Sequence, residues 1–139
     1  MHAIMDITGP VGSAAAKYLL ERGERVRGIV RSKHKAAARA VRGVDLVVAE
    51  GAEALAAAFA GTEGVFVALP ASLAPGSDFA ESRALIAALA TALRNAPPAK
   101  VVALSSIGAQ HTRDLGLLTP QHLLEQALDA LPLPRAHVR

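Results

Sequence analysis

The sequence predicts an α/β fold: a single domain over residues 1–139, built on a doubly wound parallel sheet of strand order 3-2-1-4-5. Three observations support this fold class. Apolar strand-like runs alternate with helical periodicity five times along the chain. The run from Gly64 to Leu69 is apolar without interruption, which is typical of a strand buried on both faces. The length of 139 residues is that of one ordinary domain.

The first three strand–helix units occupy roughly the first 60 residues and fix the direction of the chain. Residues 3–7 form the first strand, and residues 13–22 form a helix that Gly23 ends as a C′ glycine. Residues 25–30 and 32–41 form the second unit, in which Ser32 is the expected N-cap. Residues 44–49 and 52–59 form the third.

The remaining units follow the same alternation, with proline and glycine between them. The fourth strand, residues 64–69, ends at Pro70, and Ser77 is expected to cap a helix over residues 78–94. Residues 100–104 form the fifth strand. Thr119 and Pro120 then open a helix to about residue 130, as an N-cap and N1 pair would. Residues 135–139 resemble the opening of a sixth strand.

Composition excludes several classes of function. The net charge is +3, but fifteen basic residues are spread among twelve acidic ones, so no nucleic-acid surface is expected. The chain has no cysteine, which excludes disulfides and thiolate metal sites. No signal peptide and no membrane-length apolar stretch is evident, so we expect a cytoplasmic protein without a membrane partner.

The turn after the first strand predicts a dinucleotide-binding loop. Glycines there let the backbone approach a pyrophosphate, and the N–H groups of the following helix face its charge. Where the full glycine fingerprint has its first glycine, this chain has Asp6, which brings a Cβ atom and a carboxylate to the place that a phosphate would approach. The predicted contact residues are Ile7, Thr8, Gly9, Pro10, Val11 and Gly12.

The end of the second strand favours NADP over NAD. An NAD-specific domain usually has an acidic residue there to bind the ribose hydroxyls. This chain instead has Arg31, with Lys35 one turn into the next helix, and no acid between them. Cations are disfavoured at a helix N-terminus, so this arrangement indicates an anion nearby, such as the 2′-phosphate of NADP.

Four segments together resemble the NmrA-like group of atypical short-chain dehydrogenases/reductases. They are Ile7-Thr8-Gly9-Pro10-Val11-Gly12, Val26-Arg27-Gly28-Ile29-Val30-Arg31, Glu63-Gly64-Val65-Phe66-Val67-Ala68-Leu69-Pro70 and Leu104-Ser105-Ser106-Ile107-Gly108-Ala109. The resemblance covers the whole chain. It implies a Rossmann-like, NADP(H)-binding fold, with quinone or azo-dye reductases and redox-sensing regulators among the group's members. It also implies that Leu69, Pro70 and Ala71 line the groove between adenosine and nicotinamide.

Two departures from the group bear on activity. The group usually has glycine at the position of Asp6, and it continues past the equivalent of Arg139 into a substrate-binding lobe, so a truncated or degenerate member is expected. The Tyr-x-x-x-Lys pair of conventional members is also absent, since Tyr18 lies in the first helix. We therefore predict no catalytic residue in this chain. Hydride delivery to a quinone needs no dedicated protein acid.

Other polar residues carry weaker hypotheses. Ser105 ends the fifth strand, at the edge where open α/β sheets bind ligands, and is predicted to contact the cofactor. His122 and Glu125 have a spacing that can ligate metal, but without further ligands we expect a surface pair and no metal. His2 is expected to be uninformative.

Three functions stay open: a reductase of quinone-like substrates, a non-catalytic NADP sensor, and a fragment that forms homo-oligomers through a sheet edge left unpaired after the fifth strand.

Overall fold

The computed structural model describes residues 1–37, 41–70 and 77–139, and within them the chain forms one six-stranded sheet with helices on both faces. The strands are β1 (His2–Ile4), β2 (Val26–Val30), β3 (Asp45–Val48), β4 (Gly64–Val67), β5 (Lys100–Leu104) and β6 (Arg135–Val138). The helices are α1 (Pro10–Glu21), α2 (Lys33–Ala37), α3 (Gly51–Phe59), α4 (Ala80–Asn95) and α5 (Thr119–Asp129).

The predicted fold class is confirmed. The strand order is β3-β2-β1-β4-β5-β6, and every neighbouring pair is parallel. The chain therefore winds outwards from β1 in one direction and then in the other from β4, as a doubly wound sheet does. The order changes direction between β1 and β4, and a ligand crevice is expected at their carboxyl ends.

The edge of the sheet is not where the sequence placed it. Residues Arg135–Val138 form a complete parallel partner for β5, with Val101 opposite Arg135 and Leu104 opposite Val138. β5 is therefore an internal strand, and the two edges of the sheet are β3 and β6. Any association of copies through an unpaired edge would use β3 or β6, because the hydrogen-bonding groups of β5 are already paired on both sides.

Alternating residues of the strands point to opposite faces of the sheet and contribute to two separate hydrophobic cores. On one face, Ala3, Val65 and Val101 pack under α3, α4 and α5. The largest fully buried side chain of this core is Phe59, at the end of α3. On the other face, Ile4 and Val26 pack against α1. Among the described residues, no helix has the length and apolarity needed to cross a bilayer.

Local differences from the predicted boundaries have identifiable causes. β1 ends at Ile4 and not at Ile7, since Asp6 has a left-handed backbone (φ 51°) that a strand cannot contain. α4 starts at Ala80 without a side-chain cap, so Ser77 is not its N-cap. Thr119 also does not cap α5. Its hydroxyl donates a hydrogen bond to the carbonyl oxygen of Gly116. The predicted C′ glycine Gly23 is confirmed by its φ of 76°.

Candidate cofactor-binding site

The turn between β1 and α1 is built around Asp6. The backbone N–H of Gly9 donates a 2.9 Å hydrogen bond to the Asp6 carbonyl oxygen, which closes the turn before α1 begins at Pro10. Gly9 is the N-cap of α1 and has no side chain with which to satisfy the N–H groups of the first helical turn. Because Pro10 stands at the first helical position and no acid lies in the first turn, this helix terminus presents partial positive charge to the space in front of it.

The Asp6 carboxylate lies directly against Gly9. A Cβ atom on Gly9 would lie 2.8 Å from the carboxyl carbon of Asp6, so only glycine fits there while Asp6 keeps this position. Gly12 is required for a second reason, because its Cβ atom would lie 2.9 Å from the backbone carbonyl carbon of Asp6. Burial raises the pKa of the Asp6 carboxyl group above its ordinary value. The carboxylate thus stands beside Gly9, one of the two glycines predicted to approach a pyrophosphate.

A groove of about 1040 Å³ opens at the carboxyl ends of β1, β2, β3 and β4. One side consists of the turn from Met5 to Pro10, and the other includes Arg31 and Ser32 at the end of β2. Positive charge therefore stands at both ends: the helix terminus at one, and the Arg31 guanidinium at the other. The positive charge at its ends fits a dinucleotide with a 2′-phosphate, whereas three acidic residues that also line the groove, Asp6, Glu50 and Glu81, oppose it.

Several predicted site residues line this groove together. Thr8, Gly9, Pro10, Arg31 and Pro70 face it, and so does part of Ile7, which is otherwise buried between the sheet and α1. The residues come from the ends of three different strands, and the parallel sheet brings them to one edge.

Other predicted residues lie elsewhere or cannot be placed. Val11 is half-exposed on α1 and Gly12 is buried under Asp6, and neither faces the groove. Leu69 is half-buried and packs against the main core. Lys35 lies in α2, but its side chain is not described, and Ala71 lies outside the described residues.

Ser105 is bound to a buried carboxylate. Its hydroxyl donates a 2.5 Å hydrogen bond to Oε1 of Glu125, and Arg139 donates from Nε and Nη2 to the same carboxylate at 2.9 and 2.8 Å. The hydrogen bonds from Arg139 hold the pKa of Glu125 below its ordinary value. This network joins the ends of β5 and β6 to α5, and Ser105 is not among the residues that line the groove.

The pairing expected of His122 and Glu125 is wrong. Glu125 is only 5% exposed and is committed to Arg139 and Ser105. His122 donates from Nδ1 to the carbonyl oxygen of Ala109 at 2.7 Å. Hence the two side chains do not form the expected surface pair.

Two acidic residues of the groove were not predicted from the sequence. Glu50 lies two residues after β3, at the N-cap of α3, and Glu81 lies in the first turn of α4. The position of Glu50 at the carboxyl end of a strand could have identified it, by the rule that was applied to Ser105. Glu81 could not have been found this way, because only the packing of α4 brings it to the groove.

Comparisons with known proteins agree with this geometry. The NAD(P)H-binding family model matches residues 7–136. The triphenylmethane reductase of Citrobacter sp., solved with NADP(H), superposes with a TM-score of 0.78 at 23% identity, over 99% of this chain and 48% of that protein. The NADPH-dependent quinone oxidoreductase of Escherichia coli, solved with NADPH, gives a TM-score of 0.77 at 24% identity, over 100% and 48%.

A third structure, the UDP-N-acetylglucosamine 4-epimerase of Bacillus cereus, has a TM-score of 0.80 at 16% identity, over 99% of this chain and 54% of the epimerase. No curated protein matches the sequence significantly. The chain therefore spans about half the length of these solved structures. The family match confirms the resemblance stated from the sequence and the cofactor class that it implied. This chain belongs to the NAD(P)H-binding family.

Proposed function

We propose that this chain is the nucleotide-binding part of an NADPH-dependent reductase of small quinone-like acceptors. The observation that carries the proposal is the groove at the carboxyl ends of β1 to β4, which runs from the N-terminus of α1 to Arg31. Two of the similar solved structures are named as reductases of a quinone or a dye, and both hold the NADP form of the cofactor.

Preference for NADPH is supported by Arg31. Its planar guanidinium can bind a phosphate with two parallel hydrogen bonds, and NADH has no phosphate at that position. In the described part of the segment after β2, no carboxylate stands where NAD-specific domains bind the ribose hydroxyls. The sequence-predicted contribution of Lys35 belongs to the same proposal.

A quinone-like acceptor is supported by the residues around β5 and α5. The cofactor, when bound, supplies the hydride, and the chain binds and orients it. In conventional relatives, a tyrosine acid stands on the helix after the fifth strand. Here two polar side chains of that region are committed to structural bonds: His122 to Ala109, and Glu125 to Ser105 and Arg139. Quinones accept hydride without a protein acid, whereas ordinary ketones require one.

A non-catalytic NADP sensor is the second candidate function, and Asp6 is the observation that favours it. A carboxylate beside the pyrophosphate position weakens binding, and moderate affinity suits a protein that reports the NADPH/NADP ratio. The cytoplasmic location and the association of copies stay predictions under either function.

Stopped-flow oxidation of NADPH by a simple benzoquinone distinguishes the two functions. Multiple turnovers, faster with NADPH than with NADH at subsaturating cofactor, are expected of the reductase, and Arg31→Ala should abolish that preference. Binding of NADPH without turnover would establish the sensor in its place. The absence of both binding and turnover would contradict both functions.

A further inference from the structure

We propose a binding site for one divalent transition-metal ion of the zinc class at the amino-terminal ends of the strands. The cofactor groove lies at their carboxyl-terminal ends, on the opposite side of the molecule. Its ligands are the imidazole of His2 and the carboxylates of Glu24 and Glu63. Nothing in the sequence groups these residues, because Glu24 and Glu63 lie 22 and 61 positions after His2. The proposal does not depend on the cofactor.

The three residues stand at the amino ends of adjacent strands, and backbone hydrogen bonds fix their positions. His2 opens β1 and is in register with Val26 of β2 and Gly64 of β4. The backbone N–H of His2 donates to the carbonyl oxygen of Arg25 at 2.8 Å, next to Glu24. The backbone N–H of Glu63 donates to the carbonyl oxygen of Met1 at 2.9 Å. The sheet therefore holds all three ligand-bearing residues before any ion binds.

The ligand atoms already lie at distances that suit one ion. Nε2 of His2 is 3.4 Å from Oε2 of Glu24 and 3.7 Å from Oε2 of Glu63, and one ligand atom from each residue lies within 4.8 Å of the others. Zinc bonds of about 2.0–2.2 Å in tetrahedral geometry separate neighbouring ligands by roughly 3.3–3.5 Å. Small rotations of the two exposed glutamate side chains complete that geometry.

The absence of a side chain at Gly64 leaves room for the imidazole ring of His2. A Cβ atom on Gly64 would lie 3.0 Å from Nδ1 of His2, so a side chain there would push the ring away from the carboxylates. The His2 side chain is 15% exposed, which shields it from water, whereas Glu63 is 68% exposed. The site is thus rigid on the protein side and open on the other, where water can supply the fourth ligand.

The donor set selects the class of ion. One imidazole nitrogen with two carboxylate oxygens suits zinc and its transition-metal neighbours, and it is unlike the all-oxygen sites of magnesium and calcium. An ion also neutralises the repulsion between the two carboxylates. The cations beside them otherwise are the N-terminal ammonium of Met1, 3.8 Å from Oε2 of Glu63, and the His2 imidazole when it is protonated. Coordination would tie three strands together at this edge, so the bound ion stabilises the fold.

Isothermal titration of the untagged chain with Zn²⁺, after treatment with a chelator, tests the site. One equivalent is expected to bind and to raise the melting temperature. His2→Gln, Glu24→Gln and Glu63→Gln should each weaken Zn²⁺ affinity by at least about tenfold, since each removes a ligand. Glu53→Gln and His34→Gln, which alter exposed residues on α3 and α2, serve as matched controls and should leave it unchanged.

The titration decides between this site and a plain ion pair between His2 and the glutamates. An ion pair predicts no saturable Zn²⁺ binding, and that result would overturn the proposal. Binding that survives in all three variants would overturn it as well, because the ion would then sit elsewhere. Co²⁺ gives an independent check: an absorption spectrum typical of tetrahedral coordination should appear with the parent chain and disappear in His2→Gln.

Discussion

Replacing Asp6 by glycine should tighten NADPH binding by about 5- to 30-fold. The Asp6 carboxylate lies against Gly9, at the N-terminus of the helix that would receive the pyrophosphate. Two unit charges about 4 Å apart repel by roughly 1 kcal/mol in water and about 4 kcal/mol at an effective dielectric constant near 20. Asp6 is half-buried and the groove is open to solvent, so about 1–2 kcal/mol is expected, which gives that range in affinity.

Two further variants separate charge from backbone effects. Asp6→Asn keeps the Cβ atom and removes the charge, so it should show most of the gain. Asp114→Gly is the matched control for the backbone, because Asp114 also has a left-handed conformation (φ 58°) but is exposed and does not line the groove. Its NADPH affinity should equal that of the parent chain.

Fluorescence titration with NADPH measures all of these affinities. Because burial raises the pKa of Asp6, the advantage of Asp6→Asn over the parent should shrink as the pH falls through that pKa and the parent carboxylate becomes neutral. Comparing the two proteins at each pH cancels the titration of the cofactor itself. Equal affinities for the parent, Asp6→Gly and Asp6→Asn would refute the reasoning, since the carboxylate would then not face the cofactor.

Three other predictions concern the 2′-phosphate, the buried carboxylate and the turn. Arg31→Ala should weaken NADPH binding about tenfold and NADH binding little, with Arg42→Ala as the control, and equal losses for both cofactors would remove the phosphate assignment. Glu125→Gln should lower the free energy of unfolding in urea by about 2 kcal/mol. That stabilisation is complete above the ordinary glutamate pKa of 4.5 and is lost as the pH falls through the lower pKa of the folded state. The parent and Glu125→Gln should therefore converge in stability at low pH, and a difference that does not depend on pH would contradict this assignment. Gly12→Ala should lower the free energy of unfolding by about 1–3 kcal/mol in the same assay, because the added Cβ atom would meet backbone atoms of Met5 and Asp6. An unchanged free energy would show that the turn can move to accommodate the methyl group.

Much of the fold follows from the sequence because its signals are local. The alternation of apolar strands with helices predicted the five βα units and their order, and the sixth strand was recognised at residues 135–139. The pairing of that strand was missed, because nothing local in Arg135–Val138 shows that it lies beside β5. The start of α4 was misplaced for a similar reason, since the chain turns through left-handed Asp78 and Phe79 before the helix begins.

The site was predictable only in part. Gly9 and Arg31 lie close to strand ends, where the sheet rule places ligands, and both line the groove, whereas Gly12 does not. The partners of Ser105 could not be predicted, since Glu125 and Arg139 reach it only through the packing of α5 and the pairing of β6. The cluster of His2, Glu24 and Glu63 was invisible for the same reason: its members meet only when three strands align.

Titration of the chain with NADPH and NADH, followed by nucleotide fluorescence, tests the central claim most directly. If the groove between the α1 terminus and Arg31 holds the cofactor, NADPH binds saturably and more tightly than NADH, and Arg31→Ala abolishes the difference. No saturable binding of either nucleotide below millimolar concentration would contradict the claim, and so would tighter binding of NADH.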